Sequence, residues 1–160
     1  MPVIVNGFAY PALTDTQSSA VINPGTVVNL DDGGMAVYVQ AASAISQYNA
    51  VLIPNTNIAT NATTSRSANT KRVGFAQVSI ASGQYGWVQL GGKVRVNVLV
   101  SCNPAVPLYT TTTEGALDDA TVSGALVAGV VTELTASAAS AMTAVAGYTT
   151  VVTGTIGGAP

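Results

Sequence analysis

Apolar residues along this chain come in short runs, and within the runs they alternate with polar ones. Lys93–Val100 is the clearest case: Lys93, Arg95 and Asn97 fall on one face of an extended segment, and Val94, Val96 and Val98 on the other. Similar runs, broken by Gly, Pro, Asn and Thr, predict strands at Val3–Val5, Thr26–Leu30, Met35–Gln40, Ala50–Ile53, Val73–Ile80, Gly86–Leu90, Pro107–Thr111, Ala125–Thr132, Met142–Val145 and Thr149–Thr155. Asn23-Pro24-Gly25, Asp32-Gly33-Gly34 and Asn103-Pro104 punctuate the runs as turns. The pattern predicts an all-β protein, a small β-barrel or β-sandwich with few or no helices.

Two stretches fit this pattern less well. Glu133–Gly147 is Ala-rich, and local propensity alone allows a helix; "QAASAISQ" has the same ambiguity. An internal comparison leans against a helix in the first. Shifted by 55 residues, "RVGFAQVSIASGQYGWVQLGG" lies on "VAGVVTELTASAASAMTAVAG" without a gap, with Gly74 on Gly129, Ala81-Ser82 on Ala136-Ser137 and Gly92 on Gly147. Both copies read as strand, turn, strand and closing Gly, an internal repeat of one unit, which argues for a scaffold. The organisation expected is an N-terminal arm (residues 1–25), a first β subdomain (26–100), and a second, related one with a C-terminal tail (101–160). The polar stretch Pro54–Arg72 reads as an exposed loop, and its sequon Asn61-Ala62-Thr63 as a chance match.

Composition sharpens the functional expectation. Only 8% of residues are charged, against roughly 25% in an ordinary soluble domain. Thr, Ser, Asn and Gln cover the rest of the surface together with Ala and Val, which suits lasting contact with other protein. A net charge of −2 provides no basic field for nucleic acid and no polybasic run for a membrane surface. The N-terminal residues lack the pattern of a signal peptide, so synthesis in a cytoplasm is expected.

Candidate chemistry is sparse. Histidine is absent, which removes Ser-His-Asp and Cys-His arrangements and most transition-metal sites. Cys102, the one cysteine, reads as a small buried residue. The pairs Asp31-Asp32 and Asp118-Asp119 read as turn residues, since neighbours on a strand point to opposite faces. Glu114–Asp119 has oxygens enough for calcium but no EF-hand spacing, and reads as a solvated turn. The glycines of "DDGG" and "QLGG" match no phosphate-binding motif and serve hairpin turns. Trp87 is either a core plug or, with Tyr85, an interface anchor. Lys93 and Arg95 share a strand face, either solvated or meeting an acidic partner surface. Tyr48, Tyr85 and Trp87 are few for a sugar-binding platform. No enzyme activity and no cofactor are expected.

The stretch Arg72–Gly92 carries a resemblance. Val73, Gly74 and Ala76 on one strand, Ala81 and Gly83 at a turn, Val88 and Gly92 on the next, followed by Pro107-Leu108-Tyr109, resemble the pattern in capsid decoration, or cement, proteins of tailed bacteriophages. The resemblance implies a β-barrel-like or β-sandwich subunit on the outer surface of the virion capsid, bound to the major capsid protein, stabilising the coat lattice and often a homotrimer. Met1–Asp15 is then the favoured arm, with Val3, Ile4 and Val5 adding as a strand to an exposed sheet edge of a neighbour or of the coat protein; Tyr85, Trp87, Lys93 and Arg95 are the other interface candidates. The alternative expectation is another virion component, such as a head fibre, tail or adhesin module binding host glycans.

Overall fold

The computed structural model describes residues 3–5, 8–31, 33–64, 71–123, 125–132 and 140–146, with side chains placed between Tyr10 and Thr132. Among them are β1 (Val3–Val5), β2 (Phe8–Tyr10), β3 (Val27–Asn29), β4 (Met35–Ala41), β5 (Ala50–Ile53), β6 (Ile58–Asn61), β7 (Arg72–Phe75), β8 (Tyr85–Val98), β9 (Leu108–Thr110), β10 (Leu117–Asp118), β11 (Leu126–Val127), β12 (Val130–Thr132) and β13 (Ser140–Ala146), and no helix. The protein is all-β and built on a closed five-stranded barrel. The ring runs β4–β6–β5–β7–β8 and back to β4; β4–β6 is parallel and the other four joins are antiparallel.

Period-two alternation sorts the side chains into three apolar layers. Val37, Val39 and Ala41 of β4 point into the barrel with Val51, Ile53, Ala59, Val88 and Leu90, and Ile45 and Ile80 close it from the connecting loops. A ring this narrow leaves little room: a Cβ on Gly74 would run into Val88 and Ile53. On the opposite face of β4 and β8, Ala36, Tyr38 and Trp87 are covered by Tyr10, Leu13, Ile22 and Leu30 of the N-terminal segment. The outward residues of β5 and β7, Ala50, Leu52, Val73 and Phe75, pack with Val94, Val96 and Val98 and with Leu108, Leu117, Val127 and Val130. That third layer draws on both halves of the chain, and it explains why all four residues of β5 are buried.

The barrel's pairings recur in the C-terminal half. β8–β10 is parallel as β4–β6 is, and β9–β10, β9–β11, β12–β13 and β13–β8 are antiparallel. Ile53 opposite Arg72 reappears 55 residues on as Leu108 opposite Val127. The Ala-rich segment therefore contributes a strand, β13, to a hairpin; residues 133–139 lie outside the described set. The repeat is not residue-for-residue throughout. Gly74 lies within β7, but Gly129 sits in a turn with φ 79°, which splits the predicted strand Ala125–Thr132 into β11 and β12.

β8 belongs to both sets. β4 pairs along Tyr85–Gly91, and β13 along Gly92–Val98. The two predicted strands Gly86–Leu90 and Lys93–Val100 are thus one, with a bulge where they meet: Met35 faces Gly91 while Ala36 faces Gln89. Gly92 takes φ 90° there, a conformation that L side chains resist.

Other expectations need correction. The strand predicted over Val73–Ile80 stops at Phe75, leaving Ile80 in a single bridge to Ile45. The loop expected over Pro54–Arg72 contains β6, with Ala59, Asn61, Ala62 and Thr63 buried; its small and polar inward residues hid it. β2 and β10 were not expected. The predicted strand Thr149–Thr155 lies outside the described residues. The turns at Gly25, Gly33 and Gly83 form with φ of 96°, 81° and 78°.

Gly92→Ala is expected to destabilise the protein more than Gly33→Ala. Both put a side chain at positive φ, a strain of about 1–3 kcal/mol, but only at Gly92 does the new Cβ meet backbone, 2.7 Å from Gly34 Cα; at Gly33 nothing lies within 4 Å. Urea midpoints compare the two, and equal losses would contradict the crowded junction.

Candidate interaction surface

Beyond the bulge, β8 turns Val94, Val96 and Val98 inward and leaves Lys93 and Arg95 exposed, with Asn97 half-buried. On the side away from β13, β7 pairs with β8 through Phe75 and Gln89 alone among the described residues. The Gln77 side chain takes over: its Nε2 donates to the Arg95 carbonyl at 3.0 Å and its Oε1 accepts from the Arg95 N–H at 3.2 Å. Next along, the Asn97 N–H donates to Tyr48 O at 2.8 Å, and the Leu99 N–H to Leu117 O at 2.9 Å. An amide side chain and a loop carbonyl thus bridge the gap between two strands.

Tyr48 holds φ at 68°, a left-handed conformation uncommon for a bulky residue. Its N–H donates to Ala76 O at 2.6 Å, and its carbonyl accepts from Asn97, so the surroundings fix it from both sides. The Arg95 guanidinium carbon lies 5.6 Å from the Tyr48 ring centroid, a cation–π contact at the surface.

Behind this surface runs a line of amides. Asn97 Nδ2 donates to Asn49 Oδ1 at 2.8 Å, Asn49 Nδ2 to Asn61 Oδ1 at 3.0 Å, and Asn61 Nδ2 to Ala44 O at 3.0 Å and Glu114 Oε2 at 3.4 Å. Asn49 and Asn61 are buried, where a fully satisfied polar chain fixes register. The line joins β8, the start of β5, the end of β6 and the loop before β10. It also places the sequon Asn61 inside the fold, with its amide already engaged.

Trp87 occupies the core alternative. It is 2% exposed, and its Nε1 donates to Pro11 O at 3.1 Å. Tyr38 and Tyr10 meet it edge-on at 5.3 and 6.2 Å, and Tyr85 stacks on Tyr38. As an interface anchor Trp87 has no surface to offer; with Tyr85 it clasps the N-terminal segment, whose Gln17 also bridges Tyr85. Tyr10, Leu13 and Ile22 of that segment pack against the barrel. Tyr48 belongs to the Arg95 surface, so the three aromatics do not share one platform. Val3, Ile4 and Val5 form β1 as expected and pair with β2 in a two-stranded sheet of their own.

Sequence reasoning separated Asp118 from Asp119, but the structure gathers them with Cys102. The Cys102 sulfur and one oxygen of each carboxylate lie within 4.8 Å of one another. β10 ends at Asp118, so the alternation that would part them ends there too. Asn103 donates to Asp119 through Nδ2 at 2.6 Å and through its backbone N–H at 3.2 Å. These bonds hold the Asp119 carboxyl below its ordinary range, while burial raises that of Asp118. Asp119 therefore serves to fasten the turn after β8. The Cys102 thiol is pushed up, first by burial and then by the two carboxylates.

Among protein families and curated proteins compared with this chain, no family model and no curated protein matches it.

A buried thiol with a raised pKa is inert to thiol reagents. Native protein is expected to leave Ellman's reagent unreacted at about pH 8, and denatured protein to react at Cys102. The folded state keeps a proton that the unfolded chain releases near pH 8.5. The stabilisation is therefore complete below that pH and is lost as pH rises toward the raised value. The urea midpoint should fall across this window, and Cys102→Ala should flatten the fall. Tyr38, also raised by burial, gives a further loss of the same sign above about pH 10.

Proposed function

We propose that the protein is a structural subunit of a bacteriophage virion, a capsid decoration or cement protein that binds the outside of the head and braces the coat-protein lattice. The observation that carries this reading is the β1–β2 hairpin. Two strands alone are marginal in water, and these pair with each other and with no other described strand. The hairpin runs into Tyr10, which packs on Trp87, so it is tethered to a rigid body at one end. Such a ribbon gains most from a further strand supplied by a neighbour, through backbone hydrogen bonds that need no charge.

The remaining features support the same reading. Charged residues are scarce, and apolar side chains remain at the surface, Val21 and Val100 each 56% exposed. Several polar side chains are spent on structure: Asn49, Asn61, Gln77 and Asp119 all hold backbone or one another. The Val-Gly-x-Ala run and Ala-Ser-Gly turn that resemble decoration proteins fall on the end of β7 with the residue after it and on the turn before β8. A subunit that bridges assembled coat proteins, and not free ones, stabilises the lattice by mass action. The subunit acts as a homotrimer, matching local symmetry on a head.

Deleting residues 1–7 is expected to leave the β-rich circular dichroism unchanged and to weaken co-sedimentation with purified undecorated heads by about tenfold or more. Decorated heads should survive heating that ruptures bare ones. Failure of the intact protein to bind heads, or rupture of both at one temperature, overturns the cement role, and binding to host cells instead would favour an adhesin.

Light scattering at micromolar concentration should give three times the chain mass; a monomer would show that the trimer does not form before binding.

A further inference from the structure

We propose that Arg95, stacked on Tyr48, is a receptor for a carboxylate on an acidic segment of the protein's binding partner. The geometry restrains this cation at three points. The Arg95 backbone is clamped by Gln77 at both N–H and C=O. The guanidinium lies over the Tyr48 ring at 5.6 Å. Tyr48 in turn is locked in a left-handed conformation by Ala76 and Asn97. Strained, over-determined residues of this kind collect where a protein binds something.

The arrangement does little for folding. Arg95 is exposed, and a cation–π contact at such a site contributes little to stability. What it does provide is order. An arginine ordinarily surrenders much of its rotamer freedom when it grips a ligand. Here stacking has restricted the side chain beforehand, so a ligand loses less affinity to ordering it. The guanidinium fork matches a carboxylate in two parallel hydrogen bonds. Among the described residues, the side chains that hold Arg95 by ring contact or hydrogen bond are Tyr48 and Gln77, neither of them a carboxylate.

Guanidinium also binds phosphate, but the chain carries a net charge of −2 and a pI near 4.6. A polyphosphate backbone meets no extended basic field on it. An isolated acidic side chain meets one well-placed cation, and the surrounding scarcity of charge makes that single contact selective. Lys93 lies two residues along the same strand face, roughly 7 Å away, and widens the patch without being required by it.

The test rests on the head-binding reading only for its first target. Arg95→Gln is expected to weaken binding to undecorated heads about tenfold, and Arg95→Lys to restore part of it. Tyr48→Asn removes the ring but suits the left-handed backbone, so it should weaken binding without loss of stability. Raising salt from about 50 to about 300 mM should weaken wild type more than Arg95→Gln. Equal binding by wild type and Arg95→Gln overturns the inference and leaves the cement role standing. Should wild type fail to bind heads, the cement role falls and a hexaglutamate peptide decides the rest. Saturable NMR shifts of the Tyr48 ring and the Arg95 amide, absent in Arg95→Gln, support the receptor. No saturable shift, or the same shift in both proteins, overturns it.

Discussion

The structure depends on one requirement: fourteen consecutive residues of β8 must find backbone partners along both edges. No single neighbour is long enough. β4 and β13 divide one edge between them at the glycine bulge. On the other, β7, the Gln77 side chain, the Tyr48 carbonyl and β10 follow in turn. The positive φ of Tyr48 and the fixed position of Arg95 are consequences of filling that edge where β7 runs out. The surface proposed for binding thus arises from the same constraint that joins the two halves of the chain.

The apolar layers follow from the same strand. Val88 and Leu90 fill the barrel before the bulge, and Val94, Val96 and Val98 fill the shared layer after it. Trp87, on the opposite face, holds the N-terminal segment. The barrel interior is made of ordinary small aliphatics, so the specificity of its register rests on buried amides. Asn49 and Asn61 allow one register in which the chain from Asn97 to Glu114 is satisfied, and slippage of β5 against β6 would leave buried donors unpaired.

Much of this was legible in the sequence where the alternation was strong. Val94, Val96 and Val98 announced their face, and the turns at Gly25, Gly33 and Gly83 lay where Asn23-Pro24-Gly25, Asp32-Gly33-Gly34 and Ala81-Ser82-Gly83 put them. β6 was not legible, because a strand whose inward residues are Ala59 and Asn61 has no apolar period to detect. Nor was the end of β7 at Phe75 visible, since Ala76, Val78 and Ile80 continue an extended-looking run whose side chains pack on the barrel core although its backbone leaves the sheet. Arg95 and Lys93 could be placed on an outward face. The contact with Tyr48 could not, because it depends on a loop between β4 and β5 crossing β8, which only tertiary packing decides. Asp118 and Asp119 met because a strand ended, and strand ends are the least patterned feature of a β sequence.

The shared strand also gives the chain a temporal order. All five barrel strands lie between Met35 and Val98, so the ring can close during synthesis before β9 to β13 leave the ribosome. The second set of pairings has no such independence, since its first member is a strand the barrel must already have positioned. Until it arrives, Leu52, Val73 and Phe75 on the outside of the finished ring lack the cover that Leu108, Leu117 and Val127 later provide. The nascent protein therefore passes through an interval in which its most adhesive face is open to other chains, and translation of its last third ends that interval.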